Sequence, residues 1–454
     1  MATVSAAARD APPPPVEFRE ALRYWWKLGF ISFGGPAGQI AVMHEELVER
    51  RRWISERRFL HALNYCMVLP GPEAQQLATY IGWLMHRTRG GIAAGGLFVL
   101  PSLLILVLLS WLYMAYGQVP AVIGLFHGIK PAVTALVAHA AWRIGTRTLK
   151  NPWLWGIAVA SFTAIFAFGT PFPWIVAAAG LVGALGGRVA PRHFATGHGA
   201  AKSDAGYGPA LIDDDTPPPP HAVFGWRHFG AVVLVFGGLW LLSIGLLCAS
   251  FGWRGVPTQL GWFFTKAALV TFGGAYAVLP YVYQGVVDHY GWLSAGQMID
   301  GLALGETTPG PLIMVVAFVG FVAGWTHDAL GGGSLLAGGV AGAVVATFFT
   351  FLPSFFFILI GGPFIESTHG NLRLSAPLTA ITAAVVGVIV NLGVFFALHV
   401  LWPDGPGGHF DTFSALLGLA AMAALFRFRV GVIPVVCASG AIGLITGLAG
   451  ATLR

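Results

Sequence analysis

The sequence predicts an all-α polytopic membrane protein made of two inverted-topology repeats, and three observations predict it. Of the 454 residues 56% are hydrophobic and only 10% charged, with a mean hydropathy of +0.73; soluble domains usually carry about a quarter charged residues. Two helix-breaking motifs each occur twice at one offset: Phe33-Gly34-Gly35-Pro36 returns as Phe272-Gly273-Gly274-Ala275, and Pro70-Gly71-Pro72 as Pro309-Gly310-Pro311, both 239 residues on (272 − 33 and 309 − 70). Lys27/Lys266, Ser32/Thr271 and Trp53/Trp292 keep the same offset. Third, loop charges assign the copies to opposite orientations, as developed below.

Taken in order, residues 1–20 lack the apolar core of a signal peptide and read as a cytoplasmic tail. Residues 21–187 form the first repeat. Apolar segment 21–45 is broken at Gly34-Gly35-Pro36, an arginine-rich loop follows (Arg50, Arg51, Arg52, Arg57, Arg58), and segment 59–86 is broken at Pro70-Gly71-Pro72. Four plainer spans are expected near 92–116, 121–143, 153–169 and 172–187. Residues 188–225, with Asp213-Asp214-Asp215 and Pro217 to Pro220, read as a flexible polar cytoplasmic linker. One span in 226–251 has no counterpart in the first half. The second repeat, 252–454, then runs in the same order: broken segments 258–286 and 296–325, and spans near 334–360, 377–401, 412–426 and 431–450. Leu100-Pro101-Ser102 returns as Leu352-Pro353-Ser354, now 252 apart. Gly91-xxx-Gly95 and Gly338-xxx-Gly342 open the third element of each copy and read as close-packing motifs.

Short loops rich in Lys and Arg stay in the cytoplasm. Arg87 and Arg89, then Arg143, Arg147 and Lys150, then Arg188 and Arg192 mark three such loops. The Arg50–Arg58 loop joins them only if segments 21–45 and 59–86 are re-entrant hairpins that enter and leave on one face. Arms of 11–14 residues would reach roughly 17–20 Å at 1.5 Å per residue, past mid-membrane. This gives nine spans plus four hairpins; the alternative of thirteen spans puts five arginines outside. The unpaired span starts the second copy on the opposite face. Its outer loops then hold Asp288, Asp328, Asp404 and Asp411, and its inner loops Arg373, Arg427 and Arg429. Inverted repeats with broken helices meeting near the midplane are a transporter architecture.

Helices that begin inside a bilayer leave N–H groups without partners and carry partial positive charge, a seat for a small oxyanion. Candidate substrate-binding residues are therefore Lys27, Ser32, Gly34, Gly35, Gly71, Glu73, Gln75, Gln76, Lys266, Thr271, Gly273, Gly274, Thr307, Thr308 and Gly310, with Pro36, Pro70, Pro72, Pro309 and Pro311 as the helix breaks. The bland alternative is that Gly and Pro here only permit kinks, and that the lysines snorkel to the interface. Glu73 and Glu306 are acids deep in apolar sequence. A carboxylate repels an oxyanion, so ion coupling suits them better than ligation. His139, Asn391 and Lys130 read as packing or interface residues. Cys66, Cys248 and Cys437 are isolated core residues without metal spacing. No lysine follows a glycine, so no GxxxxGK phosphate loop exists, and no hydrolase or dinucleotide motif suggests an enzyme.

With Phe33-Gly34-Gly35-Pro36, Leu69-Pro70-Gly71-Pro72-Glu73-Ala74, Leu100-Pro101-Ser102 and their second-half partners in view, the sequence resembles the chromate ion transporter family in its long two-domain form. The resemblance covers nearly the whole chain. It implies export of chromate from the bacterial cytoplasm across the inner membrane, giving chromate resistance, with no cofactor and no metal. Expected partners are chromate or a sulfate-like oxyanion, the lipid bilayer and a second copy in a homodimer, and no nucleic acid. A sulfate or other small-anion carrier, a passive anion channel and a membrane scaffold are the alternatives. Pro36 is matched by Ala275 and Glu73 by Leu312, so strict two-fold symmetry of the site is not expected.

Overall fold

The computed structural model describes residues 12–33, 35–194, 207–217, 219–272, 275–367, 375–405 and 407–452. Gly34, Gly273 and Gly274, at the centre of the Phe-Gly-Gly motifs, lie outside the described residues. The described chain is all-helical, relieved by one isolated β-bridge.

The first half runs α1 (Phe18–Ile31), α2 (Gly35–His44) continuing as a π-turn (Glu45–Arg50), α3 (Glu56–Cys66), α4 (Glu73–Tyr116), α5 (Pro120–Thr148), α6 (Pro152–Phe168), α7 (Phe172–Val189) and the short α8 (Pro191–Phe194). After α9 (Trp226–Phe251) come α10 (Val256–Leu269), α11 (Ala275–Tyr283) with a π-turn (Gln284–His289), α12 (Ala295–Thr307), a 3₁₀ turn (Leu312–Met314), α13 (Val315–Thr326), α14 (Leu335–Ser367), α15 (Ser375–Leu401), α16 (Thr412–Phe426) and α17 (Val432–Thr452). Helices α1, α3, α10 and α12 end at Ile31, Cys66, Leu269 and Thr307, just before the Phe-Gly-Gly and Pro-Gly-Pro motifs. Gly71 (φ +128°) and Gly310 (φ +102°) turn there in backbone regions that side chains rarely adopt.

Local geometry repeats with the sequence offset. The π-turns start 239 residues apart (284 − 45). Trp53 N–H donates to Leu47 O and Trp292 N–H to Val286 O; Arg51 N–H donates to Glu46 O and Tyr290 N–H to Gly285 O. All four residues of each pair of bonds are matched at 239.

α4 is not a 44-residue rod. His86 and Arg87 leave helical φ/ψ, Arg87 at φ +57°, and the chain folds back on itself. Gly82 lies against Gly90 and Ala94, and Gly91 and Gly95 lie against Thr79, where a Cβ on Gly95 would meet Thr79 Oγ1 at 2.2 Å. An arm (73–86) thus packs antiparallel on the helix after it (87–116). In the second half the arm is α13 and the helix α14, with Gly320 and Gly324 against Gly342 and Gly338 at backbone contact. Small residues permit this approach, the expected role of the two Gly-xxx-Gly motifs.

Among the described residues seven helical stretches are long and apolar enough to cross a membrane: 73–116 (its part after the turn at Arg87), 120–148, 172–189, 226–251, 335–363, 376–401 and 432–449. The expected spans at 153–169 and 412–426 appear as the shorter apolar helices 152–168 and 412–426. α9 rides outside the bundle, with Leu234, Leu241 and Leu246 exposed and polar ties inward from Trp240 Nε1–H to Thr265 Oγ1 at 3.0 Å and between the His228 ring and Leu359 O at 3.2 Å.

One expectation needs correction. The linker's polar composition predicts flexibility, yet residues 207–217 and 219–222 are docked on the Arg50–Arg58 loop and the arm beside it. Ile212 pairs with Ile54 in the β-bridge; Leu211 N–H donates to Arg52 O, Ile212 N–H to Trp53 O and Ser55 N–H to Ile212 O. Ser55 Oγ–H donates to Asp214 Oδ1 at 2.6 Å, Arg58 donates to Thr216 O, and the His221 ring meets Trp83 O at 3.0 Å. The reason is local: Ile212 and Ala222 are apolar side chains that bury, and the loop offers open backbone groups.

Cysteines placed at Ser55 and Asp214, with the three native cysteines replaced by Ser, are therefore expected to form a disulfide. After cleavage at a protease site inserted within 195–206, the two fragments should stay joined on a non-reducing gel. Fragments that separate without reductant would contradict the docked linker.

Candidate functional site

The breaks of one half meet the breaks of the other. Gly71 N–H, in the first Pro-Gly-Pro, donates to Thr271 O at 2.9 Å; Gly310 N–H, in the second, donates to Ser32 O at 2.8 Å. Since 71 + 239 = 310 and 32 + 239 = 271, these are one contact made twice in reciprocal sense, as a two-fold relation requires. The Leu-Pro-Ser motifs complete it. A Cβ on Gly71 would lie 2.5 Å from Ser354 Oγ, and a Cβ on Gly310 would lie 2.7 Å from Ser102 Cβ. Each half thus presses its serine against the other half's Pro-Gly-Pro glycine.

This cluster is buried and polar. Ser32, Ser102 and Ser354 are fully buried, and none of their hydroxyls has a partner among the described residues. Gln75 donates to Thr79 Oγ1 at 3.0 Å and Gln76 to Pro70 O at 2.7 Å, leaving both side-chain carbonyls unpartnered. Gln39 reaches across from α2 to donate to Gly310 O at 2.5 Å. A buried hydroxyl without a partner costs roughly 1–3 kcal/mol, so such a group calls for a water or a ligand. No side chain caps α4 at Pro72 or the 3₁₀ turn at Pro311.

The structure brings together Ser32, Gly71, Gln75, Gln76, Thr271 and Gly310 of the expected residues. The amides of Gly71 and Gly310 are engaged in the cross-half clasp, so hydroxyls rather than those N–H groups face the interior. Gly35 opens α2 (φ +69°), and Glu73 is the first residue of α4. Thr271, Thr307 and Thr308 spend their hydroxyls on their own helices, donating to Ala267 O, Ala303 O and Gly305 O. Glu306 accepts from the Tyr276 hydroxyl. The lysine pair does not converge. Lys27 is exposed on α1, whereas Lys266 faces a separate cleft of about 550 Å³ shared with Tyr281, Gln284, Asp288 and Asn391, its ammonium 5.7 Å from the Trp262 ring. Ser102 and Ser354 escaped sequence reasoning as site residues, although the repeated Leu-Pro-Ser motif was the signal. Lys130 is not an interface lysine: its Nζ lies 3.5 Å from Asp300 Oδ2. Among the described residues no group of three or more His, Cys, Asp or Glu could hold a metal ion.

Broken helices meeting in a buried, hydroxyl-lined cluster within an apolar helical bundle are the architecture of a multi-pass membrane transport protein. The chromate transporter family profile matches residues 19–184 and 258–444, segments that start 239 apart (258 − 19). The chain belongs to the chromate transporter family. It is 35% identical over 385 residues to a chromate transport protein of Pseudomonas aeruginosa, covering 84% of this chain and 82% of that one. It is 29% identical over 444 residues to one of Cupriavidus metallidurans (97% and 96%) and 29% identical over 418 residues to a probable chromate transport protein of Synechococcus elongatus (90% and 90%). No solved structure matches.

Gly71→Ala combines a strained φ with a 2.5 Å overlap on Ser354 Oγ. It should cost about 1–3 kcal/mol, read as a lower Tm in detergent. Gly96→Ala, with open space around it, should be neutral. Adding Ser354→Ala to Gly71→Ala should recover part of the loss; strict additivity of the two would show that they do not touch.

Proposed function

We propose that the chain is a secondary transporter that exports chromate, or a tetrahedral dianion like it, from the cytoplasm. The anion is held near mid-membrane between two inverted repeats whose broken segments are re-entrant hairpins. The observation that carries the reading is the set of three buried, unpartnered hydroxyls, Ser32, Ser102 and Ser354, around the reciprocal clasp. Hydroxyl dipoles hold an oxyanion without the deep charge pairing that would keep it from leaving.

Inversion is supported by the directions of the third elements. The helix after Arg87 starts beside the docked linker, where His221 meets Trp83 O, and runs away from it. Its counterpart α14 runs toward that face, its Gly361 and Gly362 reaching Tyr65 and Trp83 and its Glu366 reaching Arg58. Ser102 lies midway along the first of these helices, about 22 Å from Arg87 at 1.5 Å per residue, which suits a mid-membrane cluster. The hairpin reading is supported by the backbone bonds between the Arg50–Arg58 loop and the linker: both must lie on one face, and thirteen full spans would separate them. The basic Arg50–Arg58 loop suits the cytoplasm, and with it a cytoplasmic N-terminus and a place in the inner membrane of a bacterium.

Export needs no ATP. Two negative charges moving outward through about 150 mV, inside negative, release roughly 7 kcal/mol at 2.3 kcal/mol per charge per 100 mV. Glu73, at the bare start of α4, is the first candidate for ion coupling, and Glu306 with its tyrosine the second.

Everted vesicles should accumulate chromate in a saturable, potential-dependent manner, and excess sulfate should compete. Ser102→Ala and Ser354→Ala should each raise the half-saturating chromate concentration roughly tenfold, the size of one lost hydrogen bond to a charged group, with no fall in Tm. Glu73→Gln should slow uptake without unfolding the protein. Wild-type affinity in both serine variants would remove the cluster as the site, and non-saturating flux would favour a channel.

A further inference from the structure

Two buried clusters outside the central site share one composition. In the first, Asp300 on α12 accepts a hydrogen bond from the Tyr113 hydroxyl of α4 at 2.9 Å and lies 3.5 Å from the ammonium of Lys130 on α5. In the second, Glu366 on α14 accepts from the Tyr80 hydroxyl of α4 and lies 3.6 Å from the guanidinium of Arg58 on α3. Each pairs a carboxylate of the second half with a cation and a tyrosine of the first. Both carboxylates are shielded, with side-chain exposures of 4% for Asp300 and 7% for Glu366, and Asp300 Oδ1 has no partner among the described residues.

The clusters lie at opposite ends of the protein. Tyr80 is next to the linker face, where Arg58 also holds Thr216 O. Tyr113 is 26 residues beyond Arg87 on the same helix, about 39 Å at 1.5 Å per residue. The central serines fall between. Tyr113 is eleven residues past Ser102 and Glu366 twelve past Ser354, about 16 and 18 Å. Along the first of these intervals Ser110 offers a further buried hydroxyl without a partner.

The geometry points to these two triads as the gates of the transport path, Arg58–Glu366–Tyr80 closing the linker face and Lys130–Asp300–Tyr113 closing the opposite one, with the central hydroxyl cluster between them. The inference rests on the central cluster being where the anion is held. Halves that exchange reciprocal contacts at the centre can rock about it only if the ties at the two ends break in turn, and these are charge-assisted ties that join half to half at either end. Buried pairs suit this role: breaking one by removing a partner is costly, whereas exchanging its contacts for water at an opened mouth is not. Asp300 and Lys130 are thereby positioning residues for transport, as are Glu366 and Arg58.

The test uses the full chain with Cys66, Cys248 and Cys437 replaced by Ser and one reporter, Ser102→Cys, labelled by a membrane-impermeant maleimide in right-side-out or everted vesicles. Asp300→Asn should speed labelling roughly fivefold or more from the face opposite the linker and leave the linker face unchanged. Glu366→Gln should do so from the linker face only. Lys130→Asp combined with Asp300→Lys, which keeps the pair, should return labelling to the slow rate. Should Asp300→Asn not be recovered folded, Lys130→Gln opens the same tie. Acceleration from both faces alike, or from neither, overturns the gates. Labelling needs no anion, so that failure is distinct from a failure of the chromate affinity measurements on the central serines.

Discussion

The rest of the structure depends on the obligation of a polar backbone inside a bilayer to find partners. Four helix breaks within apolar sequence would each leave amides and carbonyls in hydrocarbon, at several kcal/mol apiece. The protein meets the obligation by crossing over: the Pro-Gly-Pro amide of each half donates to the carbonyl just before the other half's Phe-Gly-Gly. Each half's break is met in part by the other half, which joins the two around the clasp. Glycine at 71 and 310 follows from the same constraint, because the turn needs a positive φ and the partner serine occupies the space a side chain would fill.

Satisfying the backbone leaves side chains unsatisfied. The clasp uses the amides of Gly71 and Gly310, and three serine hydroxyls and two glutamine carbonyls are left buried without partners among the described residues. An arrangement that spends its backbone groups on structure and withholds its hydroxyls is suited to a ligand that comes and goes. The asymmetry expected from Glu73 against Leu312 persists in the contacts: Gln39 reaches Gly310, whereas its counterpart 239 residues on is Val278, which has no polar group to reach Gly71.

The linker changes from a spacer to a part of the structure. Its backbone closes on the arginine-rich loop, and Arg58 joins that loop to Thr216 on one side and to Glu366 of the second half on the other. A connection between repeats therefore bears on the same end of the bundle where the halves are tied by charge. The composition of residues 188–225 hid this, because a single buried isoleucine and a run of backbone hydrogen bonds leave little mark on average polarity.

The sequence by itself determined the membrane class, the motifs doubled at one offset and the places near which helices end, because apolar length, helix breakers and a constant offset are local properties readable along one dimension. It also marked Ser32, Gly71, Gln75, Gln76, Thr271 and Gly310 as residues near a break. Only the tertiary structure decided which of these meet. Lys27 and Lys266 share the offset yet face apart, since a lysine's rotation about its helix is set by packing and not by spacing. Ser102 and Ser354 joined the cluster because two long helices bring their midpoints to the opposite half's turns, and Asp300 found Lys130 and Tyr113 across 170 and 187 positions of chain (300 − 130 and 300 − 113). Pairings at such separation are fixed by how helices pack, and no periodicity in a single sequence records them.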